Sequence, residues 1–263
     1  MIRRLDVFVA LGLALAACGG GGGKPTNTTP APTKPAAPDL STAEGIMEAS
    51  LAAQGGRDKL GKLKSVKQTG TVLIPQVGLK GTVTIISAPP RNSLITLDIA
   101  GFGKAMEGVS GDIAWSFDPS SGGRILKDAE RDVSIREATF NADLVWKELY
   151  PKAELGGVVD FNGTQAYKIT LTAKEGDTQV RFFAKDTLLP VGSQQTRDTQ
   201  MGKLPLETNV SDYRDVNGLK YPFKLVQKAG PQNIEFALTS VEHDVALPPD
   251  TFALPPQIAA LQK

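Results

Sequence analysis

The chain has 263 residues, 29 Lys and Arg against 28 Asp and Glu, and a formal net charge of +1. That balance speaks against non-specific nucleic-acid binding, which needs a basic surface. One cysteine and one histidine allow no intramolecular disulfide and no Cys/His ligand set for zinc, so neither a metal nor a cofactor is expected.

The chain opens with Arg3 and Arg4, followed by a run from Val7 to Ala17 in which every residue is apolar or glycine. The run is about half the ~20 residues a membrane-spanning helix needs. A basic start and a short apolar core read as an export signal, removed before folding. It ends Leu15-Ala16-Ala17-Cys18, which resembles the bacterial lipoprotein lipobox at all four positions. The resemblance implies a diacylglyceryl group on Cys18 and signal-peptidase cleavage after Ala17. The alternative is an ordinary export signal with a structural cysteine. Each buried methylene contributes about 0.8 kcal/mol to membrane attachment, so two or three chains on one residue make a lasting anchor. Gly19 and Gly20 stand where the Asp that retains enteric lipoproteins at the inner membrane would be. They point to the outer membrane, facing the periplasm.

Residues 18–40 are rich in Gly, Pro, Thr, Lys and Ala and read as a tether too poor in large apolar side chains to fold. The glycine run is no phosphate loop, because no strand precedes it and no Gly-Lys-Ser/Thr follows. Loss of residues 1–17 removes Arg3, Arg4 and Asp6 and takes the formal charge from +1 to 0.

Residues 41–263 are long enough for one sizeable core. Ser41-Thr42-Ala43-Glu44 fits a capping box with Ser41 as the N-cap, and Gln54-Gly55-Gly56 ends that helix. A second short helix is expected over Arg57 to Leu63. From Lys64 the period changes to two. Leu79 to Ile85, Ile95-Leu97-Ile99 and Tyr167 to Ala173 alternate apolar with polar, the pattern of half-buried antiparallel strands. Asn162-Gly163 and Asn217-Gly218 suit type I′ hairpins, and Pro89-Pro90 breaks another pair. About 10–11 strands are expected. Asp128 to Tyr150 has no glycine, and its only expected partner is the dry face of the sheet. It reads as one helix with Val133, Phe140, Leu144 and Leu149 near one side, capped by Asp128 or Asp132.

Further along, the chain resembles a known family. The segments "ASLAAQGGRDKLGKLKSVKQTGTV", "GDIAWSFDP", "YKITLTAKEGDTQVRFFAKDTLLPV", "SDYRDVNGLKYPFKL" and "PPDTFALP" are similar to the outer-membrane lipoprotein-sorting, LolA/LolB-like proteins of bacteria. The likeness spans about Thr42 to Pro255. It implies a mainly β fold with helices (α+β): a strongly curved antiparallel sheet, an unclosed barrel, with helices plugging its concave face. It also implies an apolar cavity for the acyl chains of lipids or lipoproteins. It supplies no residue for the arginine that latches the lid of the soluble carriers. The lipobox makes the chain more like the membrane-anchored members.

Candidate lining residues, chosen by alternation, are Val83, Ile85, Ile95, Leu97, Trp115, Phe117, Ile169 and Leu171, with Phe140, Leu144 and Leu149 covering them. Trp115 and Phe117 share one strand face, whereas Phe182 and Phe183 point opposite ways. Ser-His-Asp catalysis would have to pass through His243, and no Gly-x-Ser-x-Gly accompanies it, so no enzyme is expected. Asp212, Arg214 and Asp215 around Tyr213 are a candidate head-group patch, or simply solvated charge. Two function classes stay open: an envelope lipoprotein that binds acyl chains, in lipid or lipoprotein transfer, and a non-catalytic accessory lipoprotein that binds an envelope protein partner. Cys18→Ser is expected to abolish labelled-palmitate incorporation and cleavage. Continued labelling would remove the anchor.

Overall fold

The computed structural model describes residues 38–199 and 202–262. Leu15, Ala16, Ala17, Cys18 and the tether up to residue 37 lie outside the described residues. Thirteen strands, rather than ten or eleven, form one unclosed antiparallel sheet. In chain order they are β1 (Val66–Ile74), β2 (Leu79–Ala88), β3 (Asn92–Ile99), β4 (Gly103–Ser110), β5 (Ile113–Asp118), β6 (Gly122–Ile125), β7 (Lys152–Phe161), β8 (Thr164–Thr172), β9 (Thr178–Ala184), β10 (Pro190–Thr199), β11 (Gly202–Val216), β12 (Leu219–Ala229) and β13 (Gln232–His243). The hardest of these to read from sequence are Gly-Gly-Arg-Ile of β6 and the glycine-containing β4, which lack a clean apolar alternation.

The spatial order is β6-β5-β4-β3-β2-β1-β13-β12-β11-β10-β9-β8-β7. Each strand therefore pairs with its sequence neighbour except at two places: β1 pairs with β13, and β6 and β7 are the two edges. The hairpin turns follow the residues that make them. Asn162 (φ 50) and Gly163 (φ 85), and Asn217 (φ 54) and Gly218 (φ 79), are left-handed at both positions, as type I′ turns require.

Directly opposed residues in an antiparallel pair share a face, and the registers carry one face across the sheet. Ile169 opposes Leu155 and Arg181, Arg181 opposes Ser193, and Ser193 opposes Thr208. Val210 opposes Leu225, Leu225 opposes Phe236, and Phe236 opposes Val72. Gly70 opposes Val83, Val83 opposes Leu97, and Leu97 opposes Ala105. On this face lie three buried clusters. Val72, Ile74, Val83, Ile85, Ile95, Leu97, Ile99, Ala105, Leu225, Ile234 and Phe236 form one built from strands alone. A second joins Ile169, Leu171 and Phe183 to helix α1 (Ala43–Ala53) through Ile46 and Met47, and to α4 (Trp146–Leu149) through Trp146 and Leu149. A third gathers Leu51, Leu63, Tyr221, Phe223 and Phe140, with Leu144 against it, and Leu60 of α2 (Arg57–Leu60) joins it. Burying each such side chain stabilises by about 1.5–3 kcal/mol.

Three local expectations are corrected. The N-cap of α1 is Thr42, not Ser41. Thr42 Oγ1 accepts from Gly45 N–H at 3.0 Å, while Ser41 donates to Asp39 and Glu44 pairs with Lys147 instead of reaching back. The segment from Asp128 to Tyr150 is two helices, α3 (Asp128–Glu137) and α4, with no side-chain cap at either start. Asn141 breaks it: its φ is 57°, and its Nδ2 donates to Leu60 O at 2.7 Å. Beside it, Phe140 N–H donates to Pro90 O at 3.1 Å. Bonds to the end of α2 and to the β2–β3 turn outweigh the next helical turn.

Trp115 and Phe117 are the third correction. Trp115 opposes Gly108, which opposes Leu94, and Phe117 opposes Met106 and Gly123. Both stand on the face opposite Ile95 and Leu97. A Cβ on Gly108 would meet the Trp115 ring at 2.4 Å, and one on Gly123 would meet Ile258 at 2.5 Å. Glycine thus makes room for the indole and for α5 (Pro256–Ala259). The side chain turned toward α3 is the small Ala114, buried with Val109, Leu126 and Ala138. A helix approaches the sheet closely only over small residues. Alternation gives the period of a strand but not which phase faces the helices.

Phe140 is 2 % exposed. Phe140→Asp is expected to cost about 4 kcal/mol by emptying that site and burying a charge, read as a lower midpoint in thermal or urea unfolding. An unchanged midpoint would show that the segment does not pack there.

Candidate functional site

The segment joining the two edge strands carries the features that single it out. Helix α3 reads Asp-Ala-Glu-Arg-Asp-Val-Ser-Ile-Arg-Glu, and only Arg136 in it is buried. Such a helix has almost no apolar stripe with which to hold a sheet. It is held by charge. Arg136 pairs with Glu175 (3.0 Å) and Asp177 at the β8–β9 turn, and its guanidinium lies 5.4 Å from the Tyr150 ring centre. Glu137 pairs with Arg197 of β10, at side-chain exposures of 11 % and 8 %. It also accepts from Gln195 Nε2 at 2.8 Å. Asp143, between α3 and α4, accepts from Arg181 Nη1 of β9 at 2.6 Å and from Gln54 Nε2 at 3.4 Å.

These bonds form one continuous network. Arg181 Nε donates to Gln179 Oε1 (2.8 Å), Tyr150 Oη donates to the same oxygen (3.3 Å), and Gln179 Nε2 donates to Gln195 Oε1 (3.1 Å). The floor residues occupy alternate positions, Gln179 and Arg181 on β9 and Gln195 and Arg197 on β10, and Gln179 directly opposes Gln195. They therefore share the face of Ile169 and Leu171. Burial pulls the Arg181 guanidinium down, but Asp143 and Tyr150 outweigh it and hold the group above its ordinary value. For Arg197, burial wins over Glu107 and Glu130, with Arg136 adding to it, and the group sits below its ordinary value. In both sites burial opposes the charge, and the carboxylate paired with each guanidinium compensates for it.

Two small cavities lie against the network. One, of about 70 Å³, is bounded by Glu137, Asp143, Arg181, Phe183, Thr208, Tyr213 and Leu225, among others. The other, of about 40 Å³, lies between Ile95, Glu107, Val109, Leu126, Glu137 and Arg197, and Trp115 borders it. Each has room for water but falls short of the roughly 150 Å³ that admits a benzene-sized guest. An open groove of about 530 Å³ runs on the solvent side, past Arg131, Arg136, Leu149 and Glu175.

Among the residues predicted from sequence, Val83, Ile85, Ile95 and Leu97 fall together in the strand-only cluster. Leu149, Ile169 and Leu171 meet α1 and α4, and Phe140 and Leu144 meet α1 and α2. None of them lines the larger cavity. Phe183 faces the helices and Phe182 the other side, where it stacks on Phe161 at 4.0 Å. His243 Nδ1 lies 3.5 Å from Asn217 Nδ2 and the ring tilts against Tyr221. Burial lowers its pKa against the pull of Asp244. In the head-group patch, Asp212 pairs with Arg214 at 2.7 Å and Asp215 with Lys220 at 3.4 Å, so its charges are matched internally.

Sequence reading missed Gln54, Glu137, Asp143, Gln179, Arg181, Gln195 and Arg197. The available signal was polar residues in phase with Phe183, which put Gln179 and Arg181 on a buried face. Gln227 shows the same pattern: it is 0 % exposed, and neither its amide nitrogen nor its oxygen has a hydrogen-bond partner among the described residues.

Among the described residues no helix is long and apolar enough to cross a membrane. No protein-family model and no curated protein sequence matches the chain. Solved structures do. A DUF1329 family protein from Desulfovibrio piger is 17 % identical with a TM-score of 0.57, covering 80 % of this chain and 96 % of its own. A LolA superfamily protein from Nitrosomonas europaea is 14 % identical at 0.55, covering 81 % and 98 %. An outer membrane lipoprotein-sorting protein domain from Vibrio parahaemolyticus is 12 % identical at 0.55, covering 81 % and 96 %. The open thirteen-stranded sheet of this chain thus has the fold of the LolA-superfamily and outer-membrane lipoprotein-sorting proteins.

Proposed function

We propose that this chain is an envelope lipoprotein, anchored through acylated Cys18 to the outer membrane on its periplasmic side. Its curved sheet takes the acyl chain of a lipid or lipoprotein when the α3 end of the connecting segment, as far as Asp143, swings away, as a step in lipid or lipoprotein transfer. The helical segments fill the hollow of the sheet in the closed state. No catalytic role is proposed.

The observation that carries this reading is the way the segment is fastened. Apolar strand residues lie beside it: Ile95, Val210 and Leu225 border the two cavities under the segment, and Ile169 and Leu171 pack against α4. At its α3 end the segment is held largely through Arg197–Glu137, Arg181–Asp143 and Arg136–Glu175, while α4 packs through Trp146, Leu149 and Tyr150. The departing carboxylates regain water, while the guanidinia left on the sheet stay partly buried, so the net cost of opening a polar closure depends on what takes the carboxylate's place. An apolar seam would lose about 25 cal/mol for every Å² exposed. A cover held by charge opens without unfolding the sheet beneath it. An incoming acyl chain then gains about 0.8 kcal/mol per methylene, most of it offset by ordering and by leaving a membrane. The net affinity suits transfer rather than storage. The shared fold with a lipoprotein-sorting domain agrees with this reading.

The packed interior favours a second reading, an accessory lipoprotein that binds a protein partner with its core closed, since the two cavities described against the network measure only about 70 and 40 Å³. A fluorescent fatty-acid analogue, titrated into the mature chain from residue 18 carrying Cys18→Ser, separates the two. The transfer reading expects saturable binding. It also expects Glu137→Gln/Asp143→Asn, which loosens the cover, to lower the unfolding midpoint while tightening probe binding about tenfold. Absence of binding in both proteins would establish the accessory reading.

A further inference from the structure

The ion pairs that fasten the cover also constrain what can replace it. Asp143 and Glu137 lie on the segment that lifts, while Arg181 and Arg197 lie on β9 and β10 and stay. Arg181 is 16 % exposed at its side chain. Its carboxylate partner, Asp143 at 2.6 Å, belongs to the departing stretch. Arg197 borders the 40 Å³ cavity together with Glu107 of β4, a carboxylate that stays, whereas Arg181 borders the larger 70 Å³ cavity, so the place for a new counter-ion is at Arg181. A guanidinium left in a partly dry site without its carboxylate is strongly unfavourable. Guanidinium geometry matches a carboxylate or a phosphate equally well, through two parallel N–H donors.

The surroundings of Arg181 are those of a polar head beside an apolar tail. The 70 Å³ cavity it borders is also lined by Ser193, Gln195 and Thr208, which offer hydroxyl and amide donors. Val210 and Leu225 line the same cavity and are part of, or packed against, the strand-only apolar cluster. Gln227 opposes Thr208 across the strand pair, with both of its amide atoms buried and unmatched. One molecule therefore meets a cation, then neutral donors, then apolar strand residues.

Resting on the acyl-binding reading above, we propose that the ligand is an acyl lipid with an anionic headgroup, whose phosphate or carboxylate takes the place on Arg181 that Asp143 vacates. The exchange is charge for charge, and the acyl chain continues past Val210 and Leu225 onto the strand-only cluster. Glu175 and Asp177, the partners of Arg136, sit at the exposed β8–β9 turn and do not compete for the site.

The test is displacement of the fatty-acid probe from the mature Cys18→Ser chain by 1-palmitoylglycerol and by 1-palmitoylglycerol 3-phosphate, which differ only in the phosphate. The expected result is displacement by the phosphate form at about tenfold lower concentration. In Arg181→Met/Asp143→Leu, which removes the ion pair as a unit and leaves no orphaned charge, the ratio is expected to fall toward one while palmitoylglycerol still displaces the probe. If that variant does not fold, the wild-type ratio alone decides. Equal displacement by the two lipids would overturn the headgroup assignment and leave acyl binding standing. Absence of any probe binding would overturn both. Inorganic phosphate raising the unfolding midpoint as much as the lipid phosphate would make Arg181 a plain anion site and overturn the lipid assignment.

Discussion

The pairing of β1 with β13 is the constraint on which the rest of the molecule depends. Through it the sheet is joined in its middle by the strands farthest apart in sequence, Val66 opposite His243 and Val72 opposite Phe236. Every other contact between strands is a hairpin. The two edges must then be the sequence neighbours β6 and β7, and whatever connects them has to travel from one edge of the sheet to the other. The position of α3 and α4 follows from that topology before any side chain is considered. The side chains decide only how firmly the crossing is held.

They hold it in two ways. At the α4 end, Trp146, Tyr150 and Leu149 pack with Ile46, Met47, Ile169 and Leu171, a seam that resists separation through buried area. At the α3 end the contacts are Arg136, Glu137, Arg197 and Gln195, and the apolar contribution is limited to Ala138 and Ile135. Asn141 and Asp143 stand at the change from one regime to the other, in the stretch where the expected helix is interrupted. The segment is thus tethered at one end by packing and fastened at the other by charge, and its two helices are able to respond differently to the same disturbance.

Much of the sheet was legible in the residues because its signals are local. Alternation at Leu79 to Ile85 and Tyr167 to Ala173, and Asn-Gly at residues 162–163 and 217–218, belong to a strand or a turn by itself. Phase was not legible. Whether Trp115 or Ala114 meets α3 is settled by the register with β4 and by α5 arriving on the far side. The split at Asn141 was hidden for the same reason, since its amide is satisfied by Leu60, some eighty positions away in the chain. The charged network was the least visible part. Arginine and glutamine in a strand read as solvent-facing until a partner is known to cover them, and the segment expected to cover the sheet signalled its apolar side at Phe140, Leu144 and Leu149 rather than its carboxylates at Glu137 and Asp143.

Among the described residues β6 and β7 share no ladder hydrogen bond. A closed barrel that admitted a guest would have to tear a strand pair apart, one backbone bond after another. Here the gap is already present. Moving the two edges apart asks only for a change in the bend of twelve intact strand pairings. For the opening proposed above, the sheet is built like a spring clip, with the free edges β6 and β7 as jaws and the charged end of the connecting segment as clasp.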